Sequence, residues 1–246
     1  MSRLVVVTGG AKGIGRAVTE KFAALGDEVV ALGRDAQALG RVGAELGVRT
    51  IECDVTDEGA VAGAFEEIGR VDVLVNNAGV AESAPLAKTT LEMWRQHLDV
   101  NATGAFLCTR AVASGMWARG EGVIVTVAST AGRVGSPYTA AYTASKHAAV
   151  GLVRAVAAEV AGTGIRVNAV CPTFVRTELT ERAVARIAQT TGRTETEAEQ
   201  ALAQASPLGR LLEPEEVADA VVYLASQAAA AISGQALLLD GGGIQA

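Results

Sequence analysis

Tyr142 and Lys146 stand four residues apart in the run Tyr142-Thr143-Ala144-Ser145-Lys146. If the run is helical, both side chains lie on one face. A phenol ordinarily holds its proton up to a pH of about 10. An ammonium beside it favours the phenolate and lowers that value. The pair can therefore make a tuned proton donor, suited to an oxygen that gains negative charge during a reaction. A Tyr and a Lys at this spacing also occur on helices that do no chemistry. The elements that would have to position them decide between the two readings.

Those elements alternate. Apolar, β-rich runs at Leu4–Thr8, Glu28–Leu32, Val48–Cys53, Val71–Val75, Gly122–Ala128, Ile165–Val170 and Ala236–Asp240 are separated by segments with helical periodicity. Among these are Ile14–Leu25, Asp35–Leu46, Leu91–Leu98, Ala102–Ala118, the Ala-rich Ala141–Ala161 and Glu213–Ser226. Short apolar strands alternating with helices predict βαβ units and a parallel sheet. We expect an α/β chain forming one Rossmann-like, doubly wound domain over residues 1–246, with a seven-stranded parallel sheet and helices on both faces. The stretch from Thr173 to Leu212 is polar and partly helical, and it interrupts the rhythm between the sixth and seventh strands.

Composition narrows the partners. The 246 residues carry a net charge of −6, which argues against nucleic acid or an anionic membrane as the main partner. An anion must then be held by a local site. Cys53, Cys108 and Cys171 are odd in number and form no C-x-x-C pair, as expected of reduced, buried thiols in a cytoplasmic protein. His97 and His147 lack metal-ligand spacing, so no metal site is expected. The apolar run at Leu4–Thr8 is too short for a signal-peptide core or a membrane helix.

A local anion site is written after the first strand. Thr8-Gly9-Gly10-Ala11-Lys12-Gly13-Ile14-Gly15 leads straight into a helix. Glycines allow a tight turn and close backbone approach, and a helix N-terminus offers free N–H groups to a pyrophosphate. Such a loop can also serve packing alone, but with a strand before it and a helix after it we read dinucleotide binding. The second strand runs into Gly33-Arg34-Asp35. An acidic residue at this strand end binds the adenosine ribose in NAD sites. Here Gly33 holds that position, and Arg34 with Lys12 can grip a 2′-phosphate. NADP(H) is therefore favoured. NAD(H) stays possible, because a slightly longer strand would make Asp35 the ribose acid.

Taken together, TGGAKGIG, Asn76-Asn77-Ala78-Gly79, Ser129 thirteen residues before Tyr142, and the Tyr-x-x-x-Lys run resemble the short-chain dehydrogenases/reductases from Leu4 to Gly243. The resemblance implies roles. Tyr142 would be the general acid–base, and Lys146 would lower its pKa and hold the nicotinamide ribose. Ser129 would hydrogen-bond the substrate oxygen, and Asn101 would anchor a water in a proton relay through Lys146. Thr8, Gly9, Lys12, Gly13, Ile14 and Gly15 would cradle the pyrophosphate. Arg34, Asp54 and Val55 would meet the adenosine, Asn77, Ala78 and Gly79 would line the floor, and Pro172, Val175 and Thr177 would sit near the carboxamide. One departure is Pro172-Thr173, where the family often has Pro-Gly; a β-branched residue restricts that turn.

The resemblance also implies a ketone or secondary-alcohol substrate. Sequence texture is similar to 3-oxoacyl-thioester reductases and polyketide ketoreductases, so a 3-oxoacyl-type substrate, such as a thioester, is preferred. A secondary or cyclic alcohol dehydrogenase is the alternative. Residues 173–212 would form the substrate lid, with Phe174 and Leu179 as its apolar wall. Arg176, Arg182, Arg186 and Arg193 could meet a phosphate, but we read them as solvated charges balanced by Glu178, Glu181, Glu195 and Glu197. A non-catalytic NADP(H) sensor is a different class of reading, and the intact catalytic set argues against it. A homotetramer is the family's common assembly.

Overall fold

The structure is a computed structural model, and it describes residues 2–245; Met1 and Ala246 lie outside the described residues. The chain runs β1 (Leu4–Thr8), α1 (Gly13–Ala24), β2 (Glu28–Gly33), α2 (Ala36–Leu46), β3 (Arg49–Glu52), α3 (Glu58–Ile68), β4 (Val73–Asn76) and α4 (Leu91–Leu98). It continues through α5 (Gly104–Arg119), β5 (Glu121–Val127), α6 (Ala140–Glu159), β6 (Gly164–Pro172), α7 (Glu178–Thr191), α8 (Glu195–Gln204), α9 (Pro214–Ala225) and β7 (Ala236–Leu239). The strands form one parallel, seven-stranded sheet in the order β3-β2-β1-β4-β5-β6-β7. This is the Rossmann-like arrangement that the alternation predicts.

Burial explains why the strands read as continuous apolar runs. Alternate residues of one strand face opposite sides of a sheet. Val6, Leu74, Ile124 and Val167 join the core on one face, while Val5, Val7, Val73, Val75 and Val125 join that on the other. Both faces are covered by helices, so the inner strands are almost entirely apolar. Helix starts are set by short polar side chains. Asp35, Asp57, Thr90 and Thr177 each accept a hydrogen bond from a backbone N–H in the first turn of the helix that follows.

Several boundaries differ from expectation by one or two residues. β4 begins at Val73 instead of Val71, because Asp72 turns its carboxylate to the Leu4 N–H at 2.9 Å. β6 runs on to Pro172, which is paired with Leu239 of β7. Where one helix was expected from Ala102, a π-helical turn at Asp99–Thr103 joins α4 to α5.

The sheet order reverses direction between β1 and β4. In open α/β sheets a ligand crevice forms at this switch point, beyond the carboxyl ends of the strands. The glycine turn leaves β1 there, and Asn77–Gly79 leaves β4 beside it.

Candidate active site

The glycine turn is built for close approach. Gly9 and Gly13 have φ of +64° and +49°, a region that favours glycine. A Cβ on Gly15 would collide with the Gly9 carbonyl and with Asn77 Nδ2. The turn is tied to β4 through one hydroxyl: Asn77 N–H and Ala78 N–H donate to Thr8 Oγ1 at 2.9 and 3.0 Å. Asn77 Nδ2 also donates to the Thr8 carbonyl at 2.9 Å. Lys12 precedes α1 in extended conformation, and no side chain caps the helix, so its first N–H groups stay available to an anion. The turn fits a pyrophosphate. A Cβ on Gly13 would lie 3.1 Å from Thr177 Cγ2, which brings the start of α7 over the same turn.

At the far end of the crevice β2 stops at Gly33, and Arg34 follows it. Asp35 is not a strand-end acid. It caps α2 through the Ala38 N–H at 2.9 Å and pairs with Lys12 Nζ at 2.7 Å. The Lys12 contact and the Ala38 N–H hold its carboxyl below the usual carboxylate range. Arg34 Nη1 lies 3.4 Å from Asp54 Oδ2. Burial pushes Asp54 up, but the Thr56 N–H and hydroxyl, with Arg34, outweigh it and leave the carboxyl lowered. Val55 packs against Gly104, where a Cβ would lie 2.7 Å from Val55 Cγ2. A cavity of about 370 Å³ opens here, lined in part by Arg34, Thr56, Arg95 and Val100.

The proton-handling residues converge at the near end. Ser129 follows β5, is 9% exposed, and accepts from the Ala131 N–H at 3.1 Å. Tyr142 stands in the first turn of α6 and is partly buried. Lys146, one turn on, is 6% exposed and donates from Nζ to the Val127 carbonyl at 3.0 Å. Its Nζ lies 5.7 Å from the centroid of the Tyr142 ring. A Cβ on Gly79 would lie 3.1 Å from Asn101 Oδ1 and 3.6 Å from Lys146 Nζ, so these three residues share one wall.

Burial dominates the electrostatics of the pair. Burial pushes the Tyr142 phenol above its ordinary value, and a hydrogen bond with Ser129 only partly offsets this. Burial lowers the Lys146 ammonium, to about 8. Desolvation disfavours both charged forms, and the Lys146 proton is aimed at Val127.

Asn101 lies on the π-helical turn, and its amide is fully engaged. Oδ1 accepts from Val80 N–H at 2.8 Å; Nδ2 donates to the Val80 carbonyl and to Ser145 Oγ, both at 2.9 Å. Sequence reasoning missed Ser145, Glu82 and His97. His97 is fully buried, bonded through both ring nitrogens, and set edge-on to Tyr142 with centroids 6.2 Å apart.

Pro172, Val175 and Thr177 lead from β6 into α7. Val175 is buried and bridges Leu212. Phe174 and Leu179 are exposed. Three of the four arginines named above find carboxylates, though mostly not those expected. Arg176 pairs with Glu199 and Glu213, Arg182 with Glu178, and Arg186 with Glu82. Glu197 instead closes a capping box with Thr194. No helix among the described residues is long and apolar enough to cross a membrane.

A parallel sheet with a glycine turn at its switch point, and a Ser, Tyr, Lys and Asn set beside it, defines a nicotinamide-dependent oxidoreductase acting on CH–OH groups. A family model described as enoyl-(acyl carrier protein) reductase matches residues 9–243. D-threitol dehydrogenase of Mycolicibacterium smegmatis is 39% identical, covering 98% of this chain and 92% of its own. Cis-4-hydroxycyclohexanecarboxylate dehydrogenase of Sinomonas cyclohexanicum is 41% identical, covering 98% and 96%. Among solved structures, a variant of actinorhodin polyketide ketoreductase with NADPH superposes with a TM-score of 0.92 at 38% identity, covering 98% and 97%. The chain belongs to the short-chain dehydrogenases/reductases.

Proposed function

We propose that the chain is an NADP(H)-dependent carbonyl reductase whose substrate is a 3-oxoacyl-type ketone, such as a thioester. The observation that carries the cofactor reading is the end of β2. Asp35 is spent on the α2 cap and on Lys12, which leaves Arg34 as the charged side chain directly after Gly33. The NADPH held by the similar ketoreductase supports this reading.

When bound, the nicotinamide supplies a hydride to the carbonyl carbon. The chain does the rest. The glycine turn and the N-terminus of α1 hold the pyrophosphate, and Thr8, Asn77 and Ala78 keep that turn rigid. Asp54 and Val55 line the adenosine side, Ala78 and Gly79 line the floor, and Pro172, Val175 and Thr177 close the carboxamide side. Ser129 and Tyr142 donate to the substrate oxygen, where negative charge develops. Tyr142 delivers its proton, which its raised pKa keeps in place at neutral pH. Lys146 holds the ribose and returns a proton. Asn101 anchors a relay water, its amide fixed in place by Val80 and Ser145. Residues 173–212 act as the lid over this cleft. The assembly is a homotetramer, for which exposed Leu91, Trp94 and Phe106 on α4 and α5 offer an apolar face.

Initial rates with acetoacetyl-CoA, measured with NADPH and NADH in parallel, test the proposal. Fast oxidation of NADPH alone supports it. A preference for NADH overturns the Arg34 reading. No rate with either points to the alternative, a secondary or cyclic alcohol dehydrogenase, in keeping with the cyclohexane-ring substrate that one relative's name carries.

A further inference from the structure

The segment after β4 is pinned at every second residue, each time by a different element. Val80 exchanges two hydrogen bonds with the Asn101 side chain on the π-helical turn. Glu82 N–H donates to His97 Nε2 on α4 at 2.9 Å. Ala84 N–H donates to the Tyr138 carbonyl at 2.8 Å, in the loop that leads to Tyr142. An extended segment presents alternate N–H groups to one side, and buried N–H groups need acceptors. Here all three acceptors come from the walls of the catalytic cleft.

Glu82 carries a second connection. Its carboxylate accepts from Arg186 Nη1 on α7 at 2.6 Å, across 104 residues of sequence. The pair therefore joins the 173–212 segment to the opposite wall of the cleft. The backbone of the same residue fixes the His97 tautomer. Since Glu82 N–H donates to Nε2, Nδ1 carries the ring proton and donates to the Met93 carbonyl at 2.7 Å. With both nitrogens held, the ring cannot rotate, and its edge is set against the Tyr142 ring.

We propose that Glu82 is a positioning residue of this site: its side chain latches α7 over the cleft through Arg186, while its backbone N–H locks the His97 ring against Tyr142, so one residue couples lid position to the orientation of the acid. This rests on the reading of Tyr142 as the proton donor. The latch suits a lid that must open, because an exposed ion pair is weak and breaks at low cost. The His97 bonds are buried and stay made.

Amide hydrogen exchange on the cofactor-free protein tests the latch without needing a substrate. Glu82→Gln and Arg186→Gln should each raise exchange in α7 by about two- to fivefold, the range an exposed ion pair supports. Arg186→Gln should also raise exchange at residues 80–84, although Arg186 lies on another element. The charge-swapped double variant E82R/R186E should return both segments toward wild type. His97→Leu should loosen residues 80–84 and α7 together. Should that variant fail to fold, the Arg186→Gln measurement still decides the coupling. In turnover, Glu82→Gln should lower kcat for a ketone by a similar factor and leave the KM of the nicotinamide cofactor unchanged. Unchanged exchange at 80–84 in Arg186→Gln, or no recovery in the swap, would overturn the proposal. Near-normal turnover by Tyr142→Phe would instead remove the acid and leave the exchange result standing on its own.

Discussion

Lys146 Nζ donates to the carbonyl oxygen of Val127, the last residue of β5, at 3.0 Å. That single neutral acceptor is poor compensation for a buried ammonium, and burial lowers the group from 10.5 to about 8. The folded state therefore binds this proton less tightly than the unfolded chain does. The cost is fully present below about pH 8 and fades as pH rises toward the unfolded value. Lys146→Met should thus stabilise the protein by about 1–3 kcal/mol at neutral pH while removing activity. Thermal unfolding of both proteins against pH checks this, and the gap should narrow above about pH 8.

The same titration should mark the rate. Reduction of a ketone needs the Tyr142 proton, and burial holds it on the phenol through neutral pH. Lys146, which returns that proton, loses its own charge near 8. We expect kcat/KM for reduction to be level at neutral pH and to fall as pH rises through about 8. Alcohol oxidation, which needs a base, should run the other way. A reduction rate that climbs with pH would contradict this.

Arg34 is 64% exposed and holds Asp54 only loosely at 3.4 Å, so it is free to turn to a phosphate. Arg34→Ala should weaken NADPH binding about 10- to 100-fold, the worth of one charge-assisted contact, and leave NADH binding almost unchanged. Fluorescence titration of the reduced cofactors measures both.

Gly15 has no room for a methyl group beside the Gly9 carbonyl and Asn77. Both are rigid: one is backbone, and the other is bonded to Thr8. Gly15→Ala should open the turn, lower stability by about 1–3 kcal/mol, and abolish the rise in Tm that NADPH gives the wild type.

Much of this site can be read along the chain, for a physical reason. The glycine turn, the end of β2 at Gly33 and the Tyr142–Lys146 pair are all local: each depends on residues within one turn or one strand end. What stayed hidden is held by distant partners. No local pattern announces the extra residue of the π-helical turn at Asp99–Thr103, or that Asn101 spends its amide on Val80 and Ser145. His97 carries no spacing signal, because its partners are a backbone N–H and a carbonyl, which any residue can supply. The carboxylate partners of Arg176 and Arg186 lie dozens of residues away. Spacing on a helix does not report burial, which raises the Tyr142 phenol and lowers the Lys146 ammonium.

Tyr142→Phe tests the account most directly. The ring is kept, so the His97 edge and the first turn of α6 keep their packing, and only the phenolic hydroxyl is lost. Cofactor affinity and single-turnover reduction of acetoacetyl-CoA should be measured on the same preparation. We expect NADPH to bind as it does to the wild type and the rate to fall by about 10²–10⁴-fold, the contribution of a positioned general acid. A variant that binds NADPH and turns over at close to the wild-type rate would show that the proton comes from elsewhere.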